Sequence, residues 1–175
     1  MQVQNAGAPF PTEEVSGLGG GTLTLGAPGG GRDWQMVVVY RGLHCPICKK
    51  YLAQLEALQE QFHQAGVDIV AVSGDPQDKA HAMAEEVTLT MPIGYDLSIP
   101  QMRKLGLYVS TPRSAQETDR PFAEPGLFVI NADAEVQIVD VSNAPFARPD
   151  LQSVLNGIKF IRDKDYPIRG THTAA

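Results

Sequence analysis

The sequence is short of three things: cysteine, positive charge and long apolar runs. Only 2 of its 175 residues are cysteines, too few for a disulfide scaffold. The 14 Lys and Arg residues face 20 Asp and Glu, and the net charge of −6 argues against nucleic acid or an anionic membrane as a partner. No apolar run approaches the roughly 18 residues that a membrane-spanning helix needs. A chain with 43% hydrophobic residues is expected to form one domain over residues 1–175.

The N-terminal part of the chain contains many glycines. It has neither a basic start nor an apolar stretch, so it does not resemble a secretory signal, and we expect a cytoplasmic protein. The glycines surround the pattern Thr22–Leu25, which predicts a glycine-rich lead-in with one short strand. They match neither the dinucleotide-binding nor the P-loop spacing, so no nucleotide site is expected here.

Apolar periodicity predicts alternating strands and helices, an α/β chain. Two short β-branched runs, 36–40 and 67–72, are typical of strands covered on both faces. Between them, apolar residues recur with helical spacing from Pro46 to about His63. The other predicted elements are a polar helix from Asp75, as its cap, to about Glu86, a short strand at 93–95, a short helix at 99–105, a long loop at 110–124, a β-hairpin of 127–130 and 136–139, a helix from 150 to about 162, and a C-terminal tail from about 164.

The two cysteines lie where the first predicted strand gives way to a helix. Residues three apart on a helix share a face, so the sulfurs of Cys45 and Cys48 can meet. Cys45 falls at the helix N-terminus, where free N–H groups and the helix dipole stabilise a thiolate and lower the thiol pKa. We therefore expect Cys45 to be the attacking thiol and Cys48 the resolving thiol.

Two other roles for the cysteines compete with redox chemistry. A structural zinc site needs four ligands, and the sequence has no second CxxC motif and no ligand-spaced histidine cluster. The cysteines could also be small buried hydrophobic residues. Their position between a strand and a helix favours the redox reading over both, and that chemistry implies no bound cofactor and no metal.

The segment 37–48, VVVYRGLHCPIC, resembles peroxiredoxin-like proteins of the alkyl hydroperoxide reductase/thiol-specific antioxidant (AhpC/TSA) family, within the thioredoxin-like superfamily. The resemblance extends through 70–75 and 124–131 and covers about residues 8–163. It implies a thioredoxin-like fold of three layers, with a mixed central sheet and helices on both faces. It also implies an antioxidant, thiol-dependent oxidoreductase.

The sequence departs from the family pattern around the cysteine pair. Gly42 stands where peroxiredoxins usually have Thr or Ser, and Pro125 stands where they have an arginine. These groups orient the peroxide and stabilise its transition state, so we expect weak peroxide reduction. Arg41 is the only arginine close to the pair in sequence. Val39 replaces the buried acid that thioredoxin usually carries six residues before its first cysteine.

Three further features come from the resemblance or lie beside the motif. Pro125 matches the position of the cis-proline of thioredoxin-like folds, which implies a cis peptide bond beside the cysteines. His44 could stabilise the thiolate, or it could be an exposed ring that replaces an aromatic lid; both remain open. The tail could fold over the site or over a partner subunit, although an unstructured end is the default.

The leading hypothesis is an enzyme in which Cys45 attacks a peroxide or a disulfide and Cys48 resolves the product into a Cys45–Cys48 disulfide. A thioredoxin or glutathione system would then reduce the pair. The alternative is a redox-responsive binding module without significant turnover. The resemblance leaves a homodimer open.

Overall fold

The structure is a computed structural model and describes residues 4–173; residues 1–3 and 174–175, at the ends of the predicted lead-in and tail, lie outside the described residues. The strands are β1 (Glu13–Gly17), β2 (Thr22–Leu25), β3 (Trp34–Val39), β4 (Val67–Val72), β5 (Ile93–Tyr95), β6 (Val109–Ser110), β7 (Phe122–Ala123), β8 (Gly126–Ile130) and β9 (Val136–Val141). The helices are α1 (Pro46–Gln64), α2 (Gln77–Val87), α3 (Ile99–Lys104) and α4 (Leu151–Lys164).

Seven strands form one mixed sheet in the order β2-β1-β5-β4-β3-β8-β9. The central strands β3, β4 and β5 are parallel, whereas β8 runs antiparallel to β3 and β9 antiparallel to β8. Every residue of β3, β4 and β8 is buried, as expected for strands covered on both faces. Among the described residues, no helix is long and apolar enough to cross a membrane.

Helices cover both faces of the sheet, because alternate residues of a strand point to opposite sides. Met36 and Val38 of β3 pack with α1, α2 and α4 on one face. Val37 and Val39 pack on the other face, with α3 and the N-terminal segment around Phe10. This is the three-layer, thioredoxin-like α/β architecture that the sequence predicts.

Local signals placed several elements correctly. Helix α1 begins at Pro46, where proline suits the first helical turn, and ends just before Gly66, whose φ of 82° needs glycine. Strand β4 has the predicted bounds, and Asp150 caps α4 by accepting a hydrogen bond from the Ser153 backbone N–H at 2.9 Å.

Other predicted elements need correction. Asp75 does not cap α2, whose N-cap is Pro76; its carboxylate instead accepts a hydrogen bond from the backbone N–H of Leu43 at 2.7 Å. The lead-in contains two strands, because β1 pairs with β2 as a hairpin. The predicted 110–124 loop is bounded by β6 and β7, which pair as a separate two-stranded sheet.

The described part of the tail after α4, residues 165–173, forms no helix or strand but contacts its own chain. The Tyr166 backbone N–H donates to the Ile161 carbonyl at 3.0 Å, and the Tyr166 ring packs on Phe160. Further along, Pro167 and Gly170 line a cavity together with the N-terminal segment and β9. The tail therefore lies against its own chain.

Candidate active site

Cys45 caps the N-terminus of α1, as its position in the sequence predicts. Its backbone is extended (φ −109°, ψ 103°), and its Sγ accepts a hydrogen bond from the backbone N–H of Cys48 at 3.2 Å. Both cysteines are reduced and buried, with 1% of Cys45 and none of Cys48 exposed. A sulfur in the capping position faces the free N–H groups of the helix, which favour a negative charge there.

The surroundings of the two sulfurs push their pKa values apart. A hydrogen bond from the Cys48 thiol is the main cause that lowers the pKa of Cys45, and the Cys48 backbone N–H and Arg41 add to it against the opposing effect of burial. Burial raises the pKa of Cys48, and its hydrogen bond to Cys45 raises it further. These opposite pKa shifts favour the thiolate at Cys45 and the protonated thiol at Cys48.

Arg148, which the sequence reasoning missed, reaches both sulfurs. Its Nη2 lies 2.8 Å from the Sγ of Cys48 and 3.9 Å from the Sγ of Cys45. The residue belongs to the segment between β9 and α4, and the Tyr51 hydroxyl ties that segment to α1 by donating to the Pro149 carbonyl at 2.6 Å. The one local signal was an arginine directly before the predicted N-terminus of α4; nothing local indicates that this end meets the cysteines.

Arg41 lies beside Cys45, but carboxylates share its charge. Its Nε is 3.0 Å from Glu124, and its Nη2 is 3.6 Å from Glu117. Glu124 is buried and also accepts a hydrogen bond from the Ser110 hydroxyl at 2.7 Å. The guanidinium also stacks over Phe122, 4.7 Å from the ring centroid. Arg41 therefore lowers the pKa of Cys45 while being largely neutralised on its other side.

His44 is half-buried and packs edge-on against Phe122, with 4.6 Å between ring centroids. Within the described part of the chain, neither ring nitrogen has a hydrogen-bond partner. Burial lowers the pKa of His44, and the nearby Arg41 lowers it further. The lowered pKa disfavours the charged ring, which favours a packing role over a charge that stabilises the thiolate.

The cis-proline prediction is wrong. No peptide bond between residues 4 and 173 is cis, so the Glu124–Pro125 bond is trans. The Pro125 carbonyl accepts a hydrogen bond from the Ser142 N–H at 3.0 Å, which extends the β8–β9 pairing by one residue and keeps this backbone extended. Pro125 lines a small cavity with Tyr51, Leu127 and Arg148, the arginine that contacts both sulfurs.

The arrangement provides a nucleophile, a partner thiol and two guanidinium groups. Over residues 4–173, no three His, Cys, Asp or Glu side chains are grouped so that they could hold a metal ion. The sequence-predicted residues Arg41, His44, Cys45 and Cys48 lie on the loop after β3 and the start of α1. Pro125 lies directly before β8 and lines a cavity with Arg148. Such a site can carry out nucleophilic thiol chemistry.

Comparison with known proteins agrees with the fold and with the family that the sequence resembles. Residues 6–139 match the family model described as "AhpC/TSA family". A cysteine-to-serine mutant of the peroxiredoxin 6 of Arenicola marina superposes with a TM-score of 0.78 at 21% identity, covering 93% of this chain and 75% of the other. The peroxidoxin BcpB of Mycobacterium tuberculosis gives 0.73 at 20% identity, covering 91% and 99%. Mycobacterium bovis AhpC gives 0.75 at 17% identity, covering 99% and 100%. A search of curated protein sequences gives no significant match.

Proposed function

Because the chain belongs to the AhpC/TSA family, a family of thiol-dependent peroxidases, we propose that it reduces peroxides or disulfides with Cys45 and Cys48 as its redox pair. One observation carries this proposal: the Sγ of Cys45 occupies the N-cap of α1 and accepts a hydrogen bond from the Cys48 backbone N–H at 3.2 Å. A thiolate in that place is stabilised at neutral pH, and its partner sulfur is one helical turn away.

With a peroxide, the Cys45 thiolate attacks one oxygen. An S–O bond forms, the O–O bond breaks, and the leaving oxygen takes a proton to give water or an alcohol, so that Cys45 becomes a sulfenic acid. Arg41 lies on the Cys45 side of the site and stabilises the negative charge of the attacking sulfur. Cys48 then displaces the hydroxyl group, and a Cys45–Cys48 disulfide and water result.

With a disulfide substrate, Cys45 forms a mixed disulfide and Cys48 releases the reduced product. In either case two electrons must return to the pair, and a thioredoxin or glutathione system is the proposed source. A reducing compartment such as the cytoplasm would supply them.

The alternative is a redox-responsive binding module that oxidises once without turning over. The family membership does not favour it. Steady-state turnover separates the two, because a module would consume no more than one equivalent of oxidant even when a reductant is supplied.

The test is a parallel assay of the reduced protein with hydrogen peroxide, an organic hydroperoxide and insulin, each with thioredoxin or glutathione as reductant. We expect repeated turnover with at least one substrate and loss of turnover in Cys45→Ser. Single-equivalent oxidation with every substrate would contradict the enzyme proposal and support the binding module.

A further inference from the structure

Arg148 holds a partly buried charge beside the resolving sulfur. Its guanidinium lies 5.1 Å from the centroid of the Tyr51 ring, and its Nε donates to the Pro145 carbonyl at 2.6 Å. These contacts hold the side chain so that Nη2 is 2.8 Å from the Sγ of Cys48 and 3.9 Å from the Sγ of Cys45. The closer of the two sulfurs is the one assigned to resolution.

No carboxylate among the described residues forms an ion pair with Arg148, although Asp140 lines the same small cavity. Within residues 4–173, Arg148 takes part in none of the ion pairs with Asp or Glu, and its Nη1 is buried without a hydrogen-bond partner. Arg41 differs, because Glu124 and Glu117 share its charge. A partly buried guanidinium without an ion-pair partner interacts more strongly than an exposed one with an anion that forms next to it.

The step that needs such a charge is resolution. Once Cys45 is a sulfenic acid, it is no longer the thiolate that accepts the Cys48 proton, and Cys48 must itself become an anion to attack. Its burial opposes that ionisation. The charged or titratable groups that act on Cys48 are Arg148 before α4, Cys45 at the cap of α1, and Tyr40 after β3. Of these three, only Arg148 is positive.

Resting on the function proposed above, we propose that Arg148 is a catalytic residue of the resolving step, which stabilises the Cys48 thiolate through Nη2 while it attacks the Cys45 sulfenic acid. The Cys48 sulfur forms an S–S bond with Cys45, the S–O bond of the sulfenic acid breaks, and the hydroxide leaves with the Cys48 proton as water. Arg41 thus acts on the attacking sulfur, whereas Arg148, which also lowers the pKa of Cys45, is the positive group closest to the resolving sulfur.

The experiment measures attack and resolution separately in the full-length protein. Reduced wild type, Arg148→Met, Arg148→Lys and the control Arg41→Met are mixed with hydrogen peroxide and quenched at set times. Dimedone traps the sulfenic acid and N-ethylmaleimide traps the thiols, and mass spectrometry counts each species. The same series over a range of pH gives the pH at which the resolving rate reaches half its maximum.

We expect resolution to slow by ~100-fold in Arg148→Met, since loss of one donor to a buried anion has effects of this size. The sulfenic acid should accumulate, attack should slow by less than ~10-fold, and the half-maximal pH for resolution should rise. Arg148→Lys should recover part of the rate because it keeps the charge. Arg41→Met should slow attack and leave resolution unchanged.

The proposal is overturned if Arg148→Met, with a far-ultraviolet circular dichroism spectrum like that of the wild type, resolves at the wild-type rate or loses attack as strongly as resolution. If Arg148→Met does not fold, Arg148→Lys decides: an unchanged resolving rate and half-maximal pH overturn the proposal, and a slower rate with a shifted pH supports it. If the wild type forms no Cys45–Cys48 disulfide, the proposed function itself fails, and this inference with it.

Discussion

Asp75 occupies the space that a side chain at position 42 would need. Its Oδ2 accepts the Leu43 backbone N–H at 2.7 Å, and a Cβ built on Gly42 would lie 2.7 Å from its Oδ1. The φ of Gly42 is 149°, which L side chains rarely adopt. The missing Thr or Ser of the peroxiredoxin pattern is therefore coupled to a buried carboxylate that holds the loop before Cys45.

This close approach predicts that Gly42→Ala destabilises the protein. The added Cβ would contact the Asp75 carboxylate, and an alanine would have to adopt a φ that is disfavoured for it. We therefore expect a loss of about 1–3 kcal/mol in the free energy of unfolding. Urea denaturation measures the loss. Gly157→Ala in α4 is the matched control: its Cβ would meet nothing within 4 Å, and it should stabilise the helix by about 0.5–1 kcal/mol. Equal stability of Gly42→Ala and the wild type would contradict this prediction, because it would show that the Asp75 carboxylate can move aside without loss of stability.

Replacing Cys45 and replacing Cys48 should block different steps of the reaction. Cys45→Ser should abolish attack on substrate, because the nucleophile is lost. Cys48→Ser should leave attack intact and block intramolecular resolution, so that a sulfenic acid or mixed disulfide accumulates on Cys45. Mass spectrometry after one oxidant pulse distinguishes the variants. Accumulation of an adduct in Cys45→Ser but not in Cys48→Ser would reverse the assignment.

The pKa of Cys45 should depend on the hydrogen bond from Cys48. In the wild type this pKa is lowered, so the thiolate persists below neutral pH and is lost only as the pH falls through that pKa. Cys48→Ala removes the donor and should move the loss of thiolate to higher pH. Cys48→Ser keeps a hydroxyl donor and should shift it less. Ultraviolet absorbance of the thiolate, with Cys45→Ser as blank, follows the titration; identical curves for the Ala and Ser variants would mean that the backbone N–H and the arginines dominate.

Peroxide attack should be slower than in a peroxiredoxin that carries the usual hydroxyl. Arg41 and Arg148 supply positive charge near Cys45, but position 42 has no side chain to orient the peroxide. Loss of one transition-state donor commonly lowers the rate by about 100- to 1,000-fold. Stopped-flow mixing with hydrogen peroxide, beside a peroxiredoxin with Thr at the equivalent position, measures the ratio. A rate near the diffusion limit would show that the arginines compensate, and Arg41→Met should then remove most of it.

The elements that local chemistry specifies could be predicted from the sequence. A β-branched run, a proline at a first helical turn and a glycine after the last turn predicted β4 and α1 to within a residue or two. The spacing of Cys45 and Cys48, at a strand-to-helix junction, placed one sulfur at the helix N-terminus and the other one turn inside. The edge hairpin partner β1 was missed because Glu13–Gly17 is too polar and too close to glycines to read as a strand.

Only the tertiary structure decided which groups surround the two sulfurs. Arg148 is 100 residues from Cys48 in sequence, and it reaches the pair because the N-terminal end of α4 packs beside that of α1. Asp75 has the sequence context of a helix cap, yet its carboxylate accepts a hydrogen bond from a backbone N–H 32 residues away in sequence. Helix and strand propensities and helix capping depend on a few neighbouring residues. The hydrogen-bond and ion-pair partners of buried groups depend instead on which residues tertiary packing brings close. The Cys45–Cys48 motif could therefore be identified from the sequence, whereas the charged groups around it could not.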